Sequence, residues 1–142
     1  MPIIHAHRGA SAYAPENTLP AFRLALEQKA DGIETDIHLT RDGRFVVCHD
    51  DEIARTSNGQ GKIQDMTVEQ LKQYDFGVKF GPAFAGTPIP TLKWTRTKVP
   101  AESGEVDGLA IDYYGQSLNL VFTETGFELD YLGSMLMRFA AE

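Results

Sequence analysis

Between Ile33 and Leu39, Ile33, Ile37 and Leu39 alternate with Glu34, Asp36 and His38. Side chains two positions apart on an extended chain share a face, so this run predicts a strand that is apolar on one side and polar on the other. The apolar side needs a core behind it. The polar side projects two carboxylates together, an arrangement suited to two ligands of one hard cation.

Around this strand the sequence predicts a strand, helix, strand, strand order. Pro2 to His7 is a short apolar strand, and Arg8 to Asn17 is a loop containing Gly9 and Pro15. Thr18 is a candidate N-cap with Pro20 in the first turn, and Leu19, Phe22 and Leu26 recur at helical spacing on one face. Gly32 marks the restart, Arg41-Asp42-Gly43 a turn, and Phe45-Val46-Val47-Cys48 a buried strand delivering His49. His7 and His49 therefore end two apolar segments on either side of the acidic pair, where one can serve as general base and the other as general acid. Arg8, beside His7, offers a planar, permanently charged donor fork suited to a phosphate. Each histidine also admits a purely structural reading, as a satisfied core residue.

The blocks His7-Arg8-Gly9-Ala10, Pro15-Glu16-Asn17-Thr18, Glu34-Thr35-Asp36 and His49-Asp50, in that order, resemble the signature of the glycerophosphodiester phosphodiesterase family. The resemblance runs from about Ile3 to Leu92 and includes Ile53 to Gly59, Thr67 to Asp75 and Gly86 to Leu92. It implies a TIM-type (β/α) barrel. It also implies metal-dependent hydrolysis of a glycerophosphodiester to glycerol 3-phosphate and an alcohol. His7 and His49 would take the acid and base roles, Arg8 would bind phosphoryl oxygens, and Glu34 and Asp36 would hold Mg²⁺ or Ca²⁺. Glu16 and Asn17 fall in the block that braces the site in such enzymes, although Asn17 and Thr18 also suit helix capping. His5 and His38 share strand faces with the site residues, as supporting partners or as ordinary packed or solvated histidines.

A complete barrel of this type takes roughly 250 residues, whereas this chain has 142. The expected fold is an incomplete TIM-type barrel in one domain. Residues 1–49 would supply the first strands and helix, 50–92 an inserted subdomain, and 93–142 a shortened C-terminal part. Thr67-Val68-Glu69-Gln70 has capping-box spacing at the start of the insert's short helix. Lys93 to Glu105 reads as a linker, Val106 to Tyr113 and Leu118 to Thr123 as strands, and Glu128 to Ala140 as a helix with Leu132, Met135, Leu136 and Phe139 on one face. The family's third acidic ligand, in a Glu-x-Lys context, has no matching block after Leu92, and Asp112 and Glu124 are the available carboxylates. An inactive or weakly binding remnant, or a phosphodiesterase acting on a choline or inositol headgroup, is therefore the alternative.

The composition, 42% hydrophobic and 23% charged, suits one globular core. A net charge of −7 without a basic run argues against a nucleic-acid partner. The N-terminus carries no basic segment followed by a long apolar stretch, so the reading is cytoplasmic, without membrane insertion. Cys48, the single cysteine, reads as a packed thiol. Missing barrel strands would leave open sheet edges, through which a homo-oligomer can form.

Overall fold

A computed structural model describes residues 2–99, 104–113, 116–122 and 134–139, with side chains described through residue 92. Seven strands form one mixed sheet: β1 (His5–His7), β2 (Gly32–Leu39), β3 (Phe45–Val47), β4 (Thr91–Val99), β5 (Gly104–Tyr113), β6 (Gln116–Phe122) and β7 (Ser134–Phe139). Among the described residues only β1 and β2 are parallel, with His7 opposite Glu34. They are joined through helix α1 (Leu19–Glu27), a βαβ unit. β3 returns antiparallel along β2, with Val47 opposite Ile37. The hairpin between them turns on Gly43 at φ +76° and on the Thr40 hydroxyl, which donates to Asp42 and accepts from the Arg44 N–H.

Two apolar clusters lie on opposite sides of β3. Val47 joins Leu19, Phe22, Ala25, Ile33 and Ile37 beneath α1. Val46 and Cys48 join Ile53, Ile63, Val68, Leu71, Phe76 and Ile89 of the insert. The period of two along a strand thus ties the insert to the βαβ unit. The insert itself consists of three short 3₁₀ turns and one helix, α2 (Val68–Leu71). Its expected capping box is present, with the Thr67 side chain accepting from Gln70 N–H and Gln70 accepting from Thr67 N–H.

Several expectations change. α1 buries Leu19, Ala21, Phe22 and Ala25, whereas Leu26 is exposed. Thr18 sits at the N-cap, but its hydroxyl donates to the Pro15 carbonyl instead of capping the helix. The expected linker from Lys93 is largely strand. Trp94, Val99 and threonines at 91, 95 and 97 favour extended backbone, and β4 pairs with β5 from Thr91↔Asp112 to Val99↔Gly104. Strands at Val106–Tyr113 and Leu118–Thr123 are found as β5 and β6, with Thr123 outside the described residues. The expected helix at Glu128–Ala140 is strand β7 where it is described; residues 128–133 and 140 lie outside the description. Met135, Met137 and Phe139 also alternate, and so short an apolar run satisfies both periods. β7 lies antiparallel to β2, with Asp36 opposite Ser134 and Ile33 opposite Met137. β7 therefore covers an edge of β2, where missing barrel strands were expected to leave sheet edges open. Pairing runs from β2 through β3, β4, β5, β6 and β7 back to β2.

Candidate active site

The site grows from the turn after β1. Arg8 and Asn17 both adopt left-handed backbone, at φ +59° and +54°. For non-glycine residues this costs about 1–2 kcal/mol each and persists where neighbouring structure enforces it. The enforcing contacts are present: Arg8 N–H donates to the Glu34 carbonyl at 2.7 Å and Asn17 N–H to the Arg8 carbonyl at 2.9 Å. Gly9 follows at φ +81°, so close to α1 that a Cβ would lie 2.8 Å from the Ala21 carbonyl carbon. A side chain there would push the turn off the helix.

This turn carries Arg8 over β2. Its Nε lies 3.5 Å from Asp36 Oδ2, and its Nη1 donates to Glu16 Oε1 at 3.3 Å. Asp36 is only 4% exposed, and a carboxylate so buried needs partners. Asn17 Nδ2 supplies a second, at 3.0 Å, while Asn17 Oδ1 accepts from the Thr35 hydroxyl at 2.7 Å. Asn17 therefore orients Asp36 and takes no part in capping. His7 Nε2 lies 3.4 Å from Glu34 Oε2, and the His7 side chain is largely exposed.

His49 arrives from the other side. Cys48 N–H donates to the Asp36 carbonyl at 3.0 Å, which fixes the backbone just before His49, and His38 Nε2 meets the His49 carbonyl at 2.9 Å. His49 Nδ1 is 2.7 Å from Asp50 Oδ1. Asp50 in turn accepts from Arg55 Nε at 2.6 Å, and Arg55 also donates to both Glu16 oxygens, at 2.6 and 3.1 Å. Hydrogen bonding from Arg55, then from His49, outweighs desolvation and holds the Asp50 carboxyl down at about 2. Burial raises Glu16, but the Arg55 hydrogen bond and the charges of Arg55 and Arg8 leave it below the ordinary carboxylate range. The same two carboxylates raise the Arg55 guanidinium. Beside them lies a cleft of about 180 Å³, between the Ser11–Glu16 loop and the insert residues Arg55, Phe76 and Phe80.

Arg8, Glu34 and Asp36 thus come together, with His7 against Glu34 and His49 following the backbone bonded to Asp36. His38 touches the His49 backbone, while His5 Nε2 is buried without a hydrogen-bond partner among the described residues. Cys48 is packed, as expected, and burial pushes its thiol up to about 11. Asp112 lies on β5 opposite Thr91, and Glu124 falls outside the described residues. Two residues of the network, Asp50 and Arg55, carried no assigned role in the sequence reading. Asp50's place beside His49 was the available signal; Arg55 fell within the Ile53–Gly59 block of the resemblance, but its link to Glu16, 39 positions away, left no local mark.

The sequence model of the glycerophosphoryl diester phosphodiesterase family matches residues 7–130, well past Leu92, where the resemblance fades to the eye. A glycerophosphodiester phosphodiesterase of Caldanaerobacter subterraneus subsp. tengcongensis is 53% identical over 90 residues, covering 63% of this chain and 37% of that protein. Glycerophosphodiester phosphodiesterase 1 of Mus musculus is 37% identical over 143 residues, covering 96% of this chain and 42% of its own. A phosphodiesterase of Oleispira antarctica, solved in complex with the product sn-glycerol-3-phosphate, superposes with a TM-score of 0.62 at 42% identity over 64% of this chain and 37% of that one. This chain therefore spans less than half the length of these relatives. Its partial mixed sheet, set beside theirs, is an incomplete TIM-type barrel. On a family match that takes in the histidines, the acidic pair and the insert alike, the chain belongs to the glycerophosphoryl diester phosphodiesterase family.

Proposed function

We propose that the chain hydrolyses glycerophosphodiesters to glycerol 3-phosphate and an alcohol. The observation that carries this reading is the convergence of Arg8 on Asp36, beside Glu34, with His7 at 3.4 Å from Glu34. Arg8 would bind the phosphoryl oxygens through its charged fork. One of His7 and His49 takes a proton from the attacking water, and the other gives one to the departing alkoxide as the phosphorus–oxygen bond breaks.

Glu34 and Asp36 would hold a divalent cation, Mg²⁺ or Ca²⁺. The donors fit: both are hard oxygens on one face of β2, and Mg²⁺ is commonly held by one or two carboxylates, with water and substrate oxygens completing its shell. When bound, the cation supplies positive charge to the phosphoryl oxygens. Asn17 and Arg8 partner and orient Asp36 in its buried position.

One observation favours a second reading, a binding remnant without turnover. Among the described residues, no group of three or more His, Cys, Asp or Glu side chains is arranged to hold a metal. Thermal shift with Mg²⁺ or Ca²⁺ separates the readings when paired with an assay for glycerol 3-phosphate. A metal-binding, active chain is stabilised as RT ln(1 + [L]/Kd) and releases product. A remnant gives at most the first signal.

A further inference from the structure

Arg55 opens the insert, yet its four hydrogen bonds to carboxylate oxygens lead back to the site. Its Nε donates to Asp50 Oδ2 at 2.6 Å and its Nη2 to Asp50 Oδ1 at 3.3 Å. Its Nη2 and Nη1 reach Glu16 Oε1 and Oε2 at 2.6 and 3.1 Å. On the far side of these carboxylates stand His49, whose Nδ1 is 2.7 Å from Asp50, and Arg8, whose Nη1 is 3.3 Å from Glu16. The polar contacts therefore run without a break as His49, Asp50, Arg55, Glu16, Arg8, Asp36.

We propose that Arg55 is a positioning residue that fixes His49 through Asp50 and Arg8 through Glu16, so that the insert sets the geometry of both groups. An ionised carboxylate only accepts, so Asp50 requires the proton of neutral His49 on Nδ1 and leaves Nε2 to exchange protons with water or alcohol. Asp50 can rotate about its own side chain. Arg55 removes that freedom by occupying both oxygens, and its planar fork can do so for Asp50 while still reaching Glu16. A lysine, with one point of charge, cannot hold two carboxylates in fixed orientation. The Arg55 side chain is 49% exposed, and ion pairs that open to water contribute little to stability. The network's effect is therefore on orientation.

The inference rests on the reading of His49 as acid or base, and its test has an arm that does not. Nitrogen-15 NMR of the histidine-labelled 142-residue chain at pH 8 reports the tautomer of each neutral imidazole, with His49→Gln identifying the His49 signal. The parent is expected to show His49 protonated on Nδ1. Arg55→Met should shift it to a mixture of tautomers, and Arg55→Lys to an intermediate position, with thermal midpoints close to the parent's. In the glycerophosphodiester assay, kcat should fall about 10- to 100-fold in Arg55→Met, the usual scale for losing a group that orients a ligand or catalyst, with a smaller rise in KM as Arg8 loosens. An unchanged His49 tautomer in both variants overturns the proposal. So does a rise in KM with kcat intact, which would make Arg55 a substrate contact. If the parent itself shows no turnover, the functional reading fails, and the tautomer shift still decides the role of Arg55. If Arg55→Met does not fold, Arg55→Lys decides alone.

Discussion

In the proposed reaction, single residues divide into those that carry the chemistry, His7 and His49, and those that support it, Asn17 and Asp50 among them. His7→Ala and His49→Ala are each predicted to lower turnover by about 10²- to 10⁴-fold while leaving the circular dichroism spectrum and thermal midpoint near the parent's. Asp36→Asn is different. Sequence alone invites the idea that neutralising one of two adjacent carboxylates relieves repulsion and stabilises the metal-free protein. The structure reverses this, because Asp36 is buried and already partnered by Arg8 and Asn17. Asp36→Asn is therefore predicted to destabilise by about 1–3 kcal/mol, read from urea denaturation without metal. Asp50 adds a pH signature. Its carboxyl is depressed from 3.8 to about 2 on folding. A depressed acid contributes stability above its unfolded value and loses it as pH falls through the folded one, so part of the acid sensitivity lies between pH 4 and 2. In Asp50→Asn, the urea midpoint should fall less across that window than in the parent.

Among the elements, the N-terminal ones and the strands β5 and β6 were legible, whereas β4 and β7 were not, for a physical reason. β1, α1, β2 and the capping box of α2 each leave a local mark: an alternation, a proline in a first turn, a Thr-x-x-Gln spacing. His7 ends β1 and Glu34 and Asp36 share a face of β2, so the strand pattern already placed them near one another. β4 and β7 were misread because their pairing partners are far away in sequence, and six residues such as Ser134–Phe139 satisfy a helix or a strand equally. The Arg8–Glu16–Arg55–Asp50 network was hidden for the same reason, since Glu16 and Arg55 are 39 positions apart. The insert's own core offers a direct check of its packing. Leu71 is fully buried among Ile53, Ile63 and Val68, and Leu71→Ala should cost about 2–5 kcal/mol by denaturant titration. A cost under 0.5 kcal/mol would mean that the insert does not pack as described, well below the usual range for such a deletion.

For the molecule as a whole, we infer that residues 1–142 act as one domain, since β3 shares its two faces between the βαβ unit and the insert. β7 covers an edge of β2, where a shortened barrel would leave sheet edges open. Met137→Pro removes a backbone donor from β7, which pairs with β2 and β6, and should promote association relative to the parent, measured by light scattering at several concentrations. No helix among the described residues is long and apolar enough to cross a membrane. The central claim is that Arg8, Glu34 and Asp36 with the two histidines make this short chain a working phosphodiesterase. The most direct test measures glycerol 3-phosphate released from glycerophosphocholine and glycerophosphoethanolamine by the purified chain, with Mg²⁺, with Ca²⁺ and with chelator, beside His49→Ala. The account predicts metal-dependent release that chelator abolishes and His49→Ala reduces at least about 10²-fold. Absence of release from a folded chain under every condition, or equal release by His49→Ala, would contradict it.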